Sequence, residues 1–427
     1  MATSDGTSSG TPAALDISSV FSAANTTPQA AVDSLLLNTP MGSRGTGALK
    51  NTYFGINHRQ TPNAVPINKD HYGLTFFTRP NLNLSLGNLR SERLFNPLTT
   101  TNDKTLQRII RCYLSPRENQ GDTTIGSAAI TSPFVDPNQA FIPLLTNTLK
   151  SVSGFPDITV PYNTSHEGLY KEQYSIVDGV TDIYSAYDIT ANFRNIPGDP
   201  ITAMFFYWAH YMSNVFQGKM VPYPDMVVEN ELDYQTRIYR LVLDPSRTYV
   251  QKIAACGAAF PIADPMGGSF NYDSEKPYND TNQDISIPFH CLGAIYQDPI
   301  LLYTFNKTVQ DFNHSMTDAN RAGNNTKIPM AALQLFNNRG YPRINPDTWE
   351  LEWWIDNATY NQLLPVTGSY ITEQLQLTNP KLTTGNSNPS GTTNSPIYTG
   401  GYTAPSVNTT NVNTNIIQST PVTQNNS

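Results

Sequence analysis

The sequence predicts an α+β, β-rich chain, with antiparallel, sandwich-like sheets and a few buried helices in a central body and extended arms at both ends. Three observations point this way. Central segments alternate apolar and polar residues with period two, the pattern of half-buried strands. Asp-Pro pairs open runs of apolar residues long enough for helices. Both ends are built from Thr, Asn, Ser, Gly and Pro, with too few apolar side chains for a core.

The clearest strand is Tyr184 to Arg194. Tyr187, Ile189, Ala191 and Phe193 fall on one face, and Asp188, Thr190, Asn192 and Arg194 on the other. Thr236 to Leu243 repeats the pattern, and Asp244-Pro245-Ser246-Arg247 then turns the chain into Thr248 to Ala254, a hairpin signature. Leu74 to Thr78, Asp284 to Phe289 and Thr348 to Ile355 read as further strands.

Helices are expected after Asp199-Pro200, running to Gln217 with Gly218 as the terminating glycine, and after Asp298-Pro299. A third is expected after Asp136-Pro137, kinked at Pro143. The helix from Pro200 is apolar nearly all round. Its stretch Ile201 to Ala209 is far short of the roughly 20 residues that span a bilayer, so it is read as a buried core helix holding Phe205, Phe206 and Trp208, and no membrane span is expected. The domain reading follows: a polar N-terminal arm over 1–50 with a short helix at Pro28 to Leu37, a β-rich body over 51–365 divisible into two subdomains, and a Thr/Asn-rich tail over 366–427.

Charge narrows the function. Only 14% of residues are charged, against roughly a quarter in an average domain. Neutral polar residues desolvate more cheaply than charges, which suits a surface that other subunits will cover. The net charge of −8 and the absence of a Lys/Arg cluster argue against a nucleic-acid partner. Arg108 and Arg111 read as the wet edges of a short helix. Cys112, Cys256 and Cys291 are odd in number and lack a CxxC, so neither a disulfide framework nor a metal site is expected. Met1 to Gly10 has neither a basic nor an apolar region, so no signal peptide is expected and synthesis in a reducing cytoplasm is.

Chemistry is sparse. No nucleophile elbow, phosphate loop, zincin helix or EF-hand loop occurs; Gly45-Thr46-Gly47 precedes Lys50 but follows no strand. The six histidines are scattered, His290 and Cys291 point to opposite faces of a strand, and His210 reads as a hydrogen-bonded core residue. No cofactor and no metal are expected. Glu350 and Glu352 share one face of a strand, where paired carboxylates could serve a glycosidase. The plainer reading is a wet acidic face backed by Trp349, Leu351 and Trp353. Trp353-Trp354 also suits a protein interface, where Trp is enriched.

Between Tyr184 and Asn306, with Tyr72 to Leu84, the phrases FRNIPGDPITAMFFYWAHYM, DYQTRIYRLVLDPSRTYVQKIAACGAAFP and YGLTFFTRPNLNL resemble virion structural proteins of large tailed bacteriophages, especially contractile-tailed ones. The resemblance covers about a third of the chain. It implies a tail, baseplate or neck subunit made in the host cytoplasm and placed in the virion, where it contacts other virion proteins and copies of itself in a ring. It transfers no catalytic residue. Tube subunits are usually shorter, and the spine helix usual in capsid proteins is not seen, so baseplate or neck is preferred. Interface positions are taken as Trp353 and Trp354 in the body and Ile397, Tyr398, Tyr402, Ile416 and Ile417 in the tail. Two alternatives stand: a carbohydrate-binding fibre or adsorption protein, and a cell-wall glycoside hydrolase using Glu350 and Glu352.

The composition of the arms generates a test. Ordering a residue costs about 1–2 kcal/mol of backbone entropy, which these segments cannot recover alone. A chain trimmed to residues 51–377 should keep the thermal stability of the full chain yet fail to enter particles. Loss of the folded body on trimming, or normal incorporation, would refute that expectation.

Overall fold

Six antiparallel strands make the main sheet, in the order β1 (Thr75–Phe77), β6 (Ile238–Leu243), β7 (Val250–Pro261), β8 (Asp284–Tyr296), β5 (Ala186–Arg194) and β2 (Leu149–Ser153). This computed structural model describes Asp70 and residues 73–121, 129–181, 184–276 and 283–367. The arm over 1–50, the expected helix at Pro28 to Leu37, and Ile397, Tyr398, Tyr402, Ile416 and Ile417 lie outside the described residues.

The expected strands are present, and two run further than the alternation implied. The hairpin turn at 244–247 holds, with Leu243 opposite Val250 and Tyr239 opposite Ala255. β7 continues to Pro261 and β8 to Tyr296. In β5, Ile189, Ala191 and Phe193 are fully buried while Asp188 and Arg194 are exposed, as the period requires.

The two faces of the sheet differ along its width. Phe77, Ile238, Cys256, Ala259, Phe289 and the inner face of β5 pack on α5 (Pro200–Phe216), whose Met204, Phe205, Trp208 and Tyr211 are fully buried. Phe205 sits 5.7 Å from Phe289 and 5.9 Å from Trp208, centroid to centroid. Phe206 is only half-buried. On the opposite face, Phe76, Tyr239, Leu241, Leu243, Val250 and Ile253 meet Leu301, Phe305 and Val309 of α7 (Ile300–Phe312). Thus β1, β6 and β7 are covered on both faces. The outer face of β8, β5 and β2 carries Asp284, His290, Asp188, Asn192 and Lys150 instead.

A smaller antiparallel sheet, β10 (Tyr341–Ile344), β11 (Leu351–Asp356) and β9 (Asn325–Ile328), closes the α7 side. A third cluster, Ile328, Leu333, Phe336 and Ile355, packs against Tyr360 of α8 (Asn357–Thr367).

Local chemistry differs from expectation at four places. Asp199 adopts a left-handed backbone (φ 48°) and does not cap α5 with its side chain; its carboxylate accepts a bond from Asn195 Nδ2 instead. No helix follows Asp136-Pro137, because Asp136 Oδ1 accepts from Asn138 N at 2.9 Å in a local turn. The helix there, α4 (Pro143–Thr148), begins at Pro143, which as a first-turn residue starts the helix and does not kink it. His210 is half-buried with its ring 4.2 Å from that of Phe206. The fourth difference is Arg111, which is no wet edge. In α2 (Leu106–Leu114) it is 2% exposed and binds Glu118 of α3 (Pro116–Gln120) through Nε and Nη2 at 3.1 and 2.9 Å. Arg117 ties α3 in turn to Asp225 of α6 (Pro224–Glu229).

Arg79, just beyond β1, is buried and has no carboxylate partner among the described residues. Its five donors meet five acceptors: Nε the Tyr113 carbonyl, Nη1 the Pro137 and Gln139 carbonyls, and Nη2 the Cys112 carbonyl and Asn119 Oδ1. Burial lowers its pKa to about 10, which leaves it charged at neutral pH. An ammonium offers three donors in the wrong fork. Arg79→Lys should therefore destabilise the protein by about 1–3 kcal/mol through orphaned buried acceptors, read as a lower urea midpoint. A midpoint equal to wild type would mean that these carbonyls are satisfied in another way.

Candidate assembly surface

The connection from β2 to β5 is the least expected part of the body. Gly154 ends β2 at φ +110°, and a Cβ there would lie 2.3 Å from the Asp188 carbonyl, so only glycine allows the chain to leave this close to β5. Beyond it, β3 (Tyr162–Thr164) and β4 (Ser175–Val177) pair antiparallel, with Tyr162 opposite Val177. The ladder extends through Ser165 N to the Tyr174 carbonyl at 2.7 Å and Asp178 N to the Pro161 carbonyl at 3.0 Å. The tip is pinned by Gly168 N to the Glu172 carbonyl at 2.9 Å.

Every residue from 157 to 180 is exposed. The two strands of the hairpin bond to each other, while every one of these residues stays exposed. A lone two-stranded ribbon is marginal in water, yet this one displays Ile158, Val160, Tyr162, Leu169, Tyr170 and Ile176 on its two faces. Leu169 is 89% exposed. An apolar patch of this extent is characteristic of a contact surface. The alternation of Ile158, Val160 and Tyr162, followed by a glycine at 168, is the sequence signal that could have found it.

The positions singled out in the body behave differently. Trp353 and Trp354 are half-buried within the chain. Trp353 packs against both the Phe76 cluster and the Ile328 cluster. Trp354 carries Arg321 over its ring at 5.2 Å and donates from Nε1 to Glu352 Oε2 at 3.0 Å. Trp349 adopts a positive φ of 58° and is buried, so β11 begins only at Leu351.

Glu350 and Glu352 are brought together, but by cations. Lys327 Nζ lies 2.8 Å from Glu350 Oε1 and 3.2 Å from Glu352 Oε1. Arg343, directly across from Glu352 in β10, binds Oε2 at 3.0 Å, and Asn345 Nδ2 reaches Oε1 at 3.2 Å. Glu352 is buried, not on a wet face. Burial alone would raise its carboxyl pKa, but Lys327 and Arg343 outweigh that and hold it below the usual range. A group so held is ionised, the opposite of what a proton-donating glycosidase acid requires. Burial likewise opposes charge on Lys327, and the two glutamates outweigh it to raise that pKa. The cluster is a clasp joining β9, β10 and β11. Among the described residues no group of three or more His, Cys, Asp or Glu side chains is placed to hold a metal ion.

The sign of the pH effect follows. A carboxyl with a depressed folded-state pKa stabilises fully above its ordinary value of 4.5 and loses that contribution as pH falls through the folded value. Glu352→Gln should cost about 3 kcal/mol at pH 7, the low end for breaking a buried pair, and its penalty should shrink on acidification below about pH 4. Melting curves across pH 3–7 test this, and a pH-independent penalty would show that the clasp is not ionic.

Comparison with known proteins places the chain. A family model described as "Putative phage tail tube protein" matches residues 19–369. No curated protein matches. Among solved structures, the cap that terminates the tube of the anti-feeding prophage is 14% identical over 37% of this chain and 81% of its own, with a TM-score of 0.23. The sheath–tube complex of an extracellular contractile injection system is 16% identical over 37% and 82%, at 0.22, and a sheath/tube terminator of such a system is 15% identical over 37% and 88%, at 0.21. The family match spans most of the chain, including the main sheet, the hairpin and the clasp; this chain belongs to the phage tail tube protein family and is a structural component of a virion tail.

Proposed function

We propose that the chain is a ring-forming subunit of the tail tube or of its end, and that copies join when the 157–180 hairpin of one lies on the next. The observation that carries this is the hairpin itself: paired strand to strand, apolar on its surface and exposed along its whole length. A contact between two different patches of identical subunits is heterologous and closes into a ring when its rotation allows. That is the geometry a tube requires. The family's description speaks of a tube and lends nothing to the baseplate or neck position favoured by the sequence. Trp353 and Trp354, spent largely on internal packing, contribute less to such contacts than the hairpin does. The arms, with Ile397, Tyr398, Tyr402, Ile416 and Ile417, add secondary anchors along neighbours and other tail proteins. The reading assigns the chain no catalytic step.

The test uses the full chain and a version in which residues 157–180 are replaced by a short Gly/Ser turn. Wild type should form rings or tubes as concentration rises, seen by sedimentation and electron microscopy. The replaced version should melt within a few degrees of wild type and stay monomeric. A wild-type chain that stays monomeric at millimolar concentration, or a hairpin-less chain that assembles normally, would overturn the reading.

A further inference from the structure

The hairpin needs a receiving surface, and a second exposed patch has the complementary chemistry. It is formed by α1 (Leu86–Ser91), the turn that follows it, and the segment after α5. These pieces are held together. The Asn83 and Asn88 side chains both donate to the Val221 carbonyl at 2.8 Å, Lys219 Nζ reaches Glu92 at 3.5 Å, and the Phe95 ring packs 5.7 Å from Tyr207 of α5. Leu86, Leu94, Phe216 and Val221 are exposed on this patch, Phe216 at 93%. Phe216 is the last residue of α5, so the helix's buried stripe has already ended when it turns outward.

Charge distinguishes the two surfaces. Over 86–94 and 216–221 there are three cations, Arg90, Arg93 and Lys219, against one carboxylate, Glu92. Arg90 and Arg93 are exposed. In a chain with 26 Lys and Arg against 34 Asp and Glu, a cationic excess of this kind is local. The hairpin is the reverse, with Asp157, Glu167, Glu172 and Asp178 against Lys171 alone. Each surface also carries large exposed apolar side chains. The hairpin does not rest on its own chain's patch, since residues 157–180 are exposed throughout.

Resting on the ring-forming reading above, we infer that the Leu86–Leu94 and Phe216–Val221 surface of one copy receives the acidic hairpin of the next. Phe216 and Leu86 cover the apolar faces of the hairpin, and Arg90 and Arg93 pair with Glu167 and Glu172 at its tip. Opposite signs steer the encounter and select the register, while like-charged approaches, hairpin against hairpin, are repelled. Two unlike surfaces also make the contact directional, so copies add in one sense only.

Charge exchange tests this in the full chain. Arg90→Glu with Arg93→Glu should leave the melting temperature unchanged, since both side chains are exposed, and weaken self-association by about tenfold or more. Adding Glu167→Lys and Glu172→Lys to the same chain should restore it. Separately, Leu169→Cys with Phe216→Cys should give an intermolecular disulfide between the two introduced thiols in assembled protein under mild oxidation. Self-association untouched by Arg90→Glu/Arg93→Glu, no recovery in the four-site variant, or cross-linking of the hairpin-tip thiol to another surface would each overturn the assignment. If hairpin replacement abolishes assembly while the arginine reversal does nothing, the hairpin reading stands and only this receiving surface fails. If hairpin replacement has no effect, the failure lies with the ring-forming reading itself.

Discussion

The buried guanidinium of Arg79 is the interaction on which the helical flank of the sheet depends. One side chain at the end of β1 satisfies carbonyls from the last turn of α2, the side chain of Asn119 in α3 and two carbonyls of the 137–139 loop. Among the described residues no strand ladder joins these helix ends to the 137–139 loop. The aromatic rings of Phe312 and Tyr113, 5.6 and 5.9 Å from Cζ, enclose the charge and exclude water. The neighbouring Arg111–Glu118 pair repeats the device with a carboxylate, where burial raises the Glu118 pKa against the pull of Arg111. Both arginines hold backbone in place by supplying donors where no regular structure does.

With that flank in place, the asymmetry of the sheet decides what is left for contacts. Strands β1, β6 and β7 lie between α5 and α7 and bury apolar side chains on both faces. Strands β8, β5 and β2 keep a polar outer face, where His290 meets Asp188 at 2.7 Å and Asn192 meets Ser151 at 2.8 Å. The exposed hairpin leaves the sheet from β2, the edge strand on this same side. The sheet is thus covered on both faces only at its β1–β6–β7 side, and the exposed apolar hairpin leaves from the other.

The acidic pair on β11 illustrates how neighbours set a residue's role. Two carboxylates two positions apart read more plainly as a polar strand face than as an acid–base pair. Once β9 and β10 flank β11, Lys327 bridges the two carboxylates, Arg343 takes the other oxygen of Glu352, and the pair becomes a structural ion cluster. Trp354 donates into it as well, which gives its indole N–H a polar partner.

The sequence by itself determined the antiparallel strands and the buried helix, because period-two alternation and a long apolar run are properties of consecutive residues. Tyr187 to Phe193 could face the core in only one way, and the run from Ile201 to Trp208 was too apolar to stay in water. The 244–247 turn was legible for the same reason. Tertiary structure alone decided the rest. Arg111 looked wet because its own helix cannot show Glu118 arriving from the next one. Asp199 and Asp136 looked like caps because a cap depends on the φ of its own residue and on which donor is nearest. The hairpin at 157–180 carried the alternation of a half-buried strand, yet burial depends on what lies opposite, and its residues are exposed throughout.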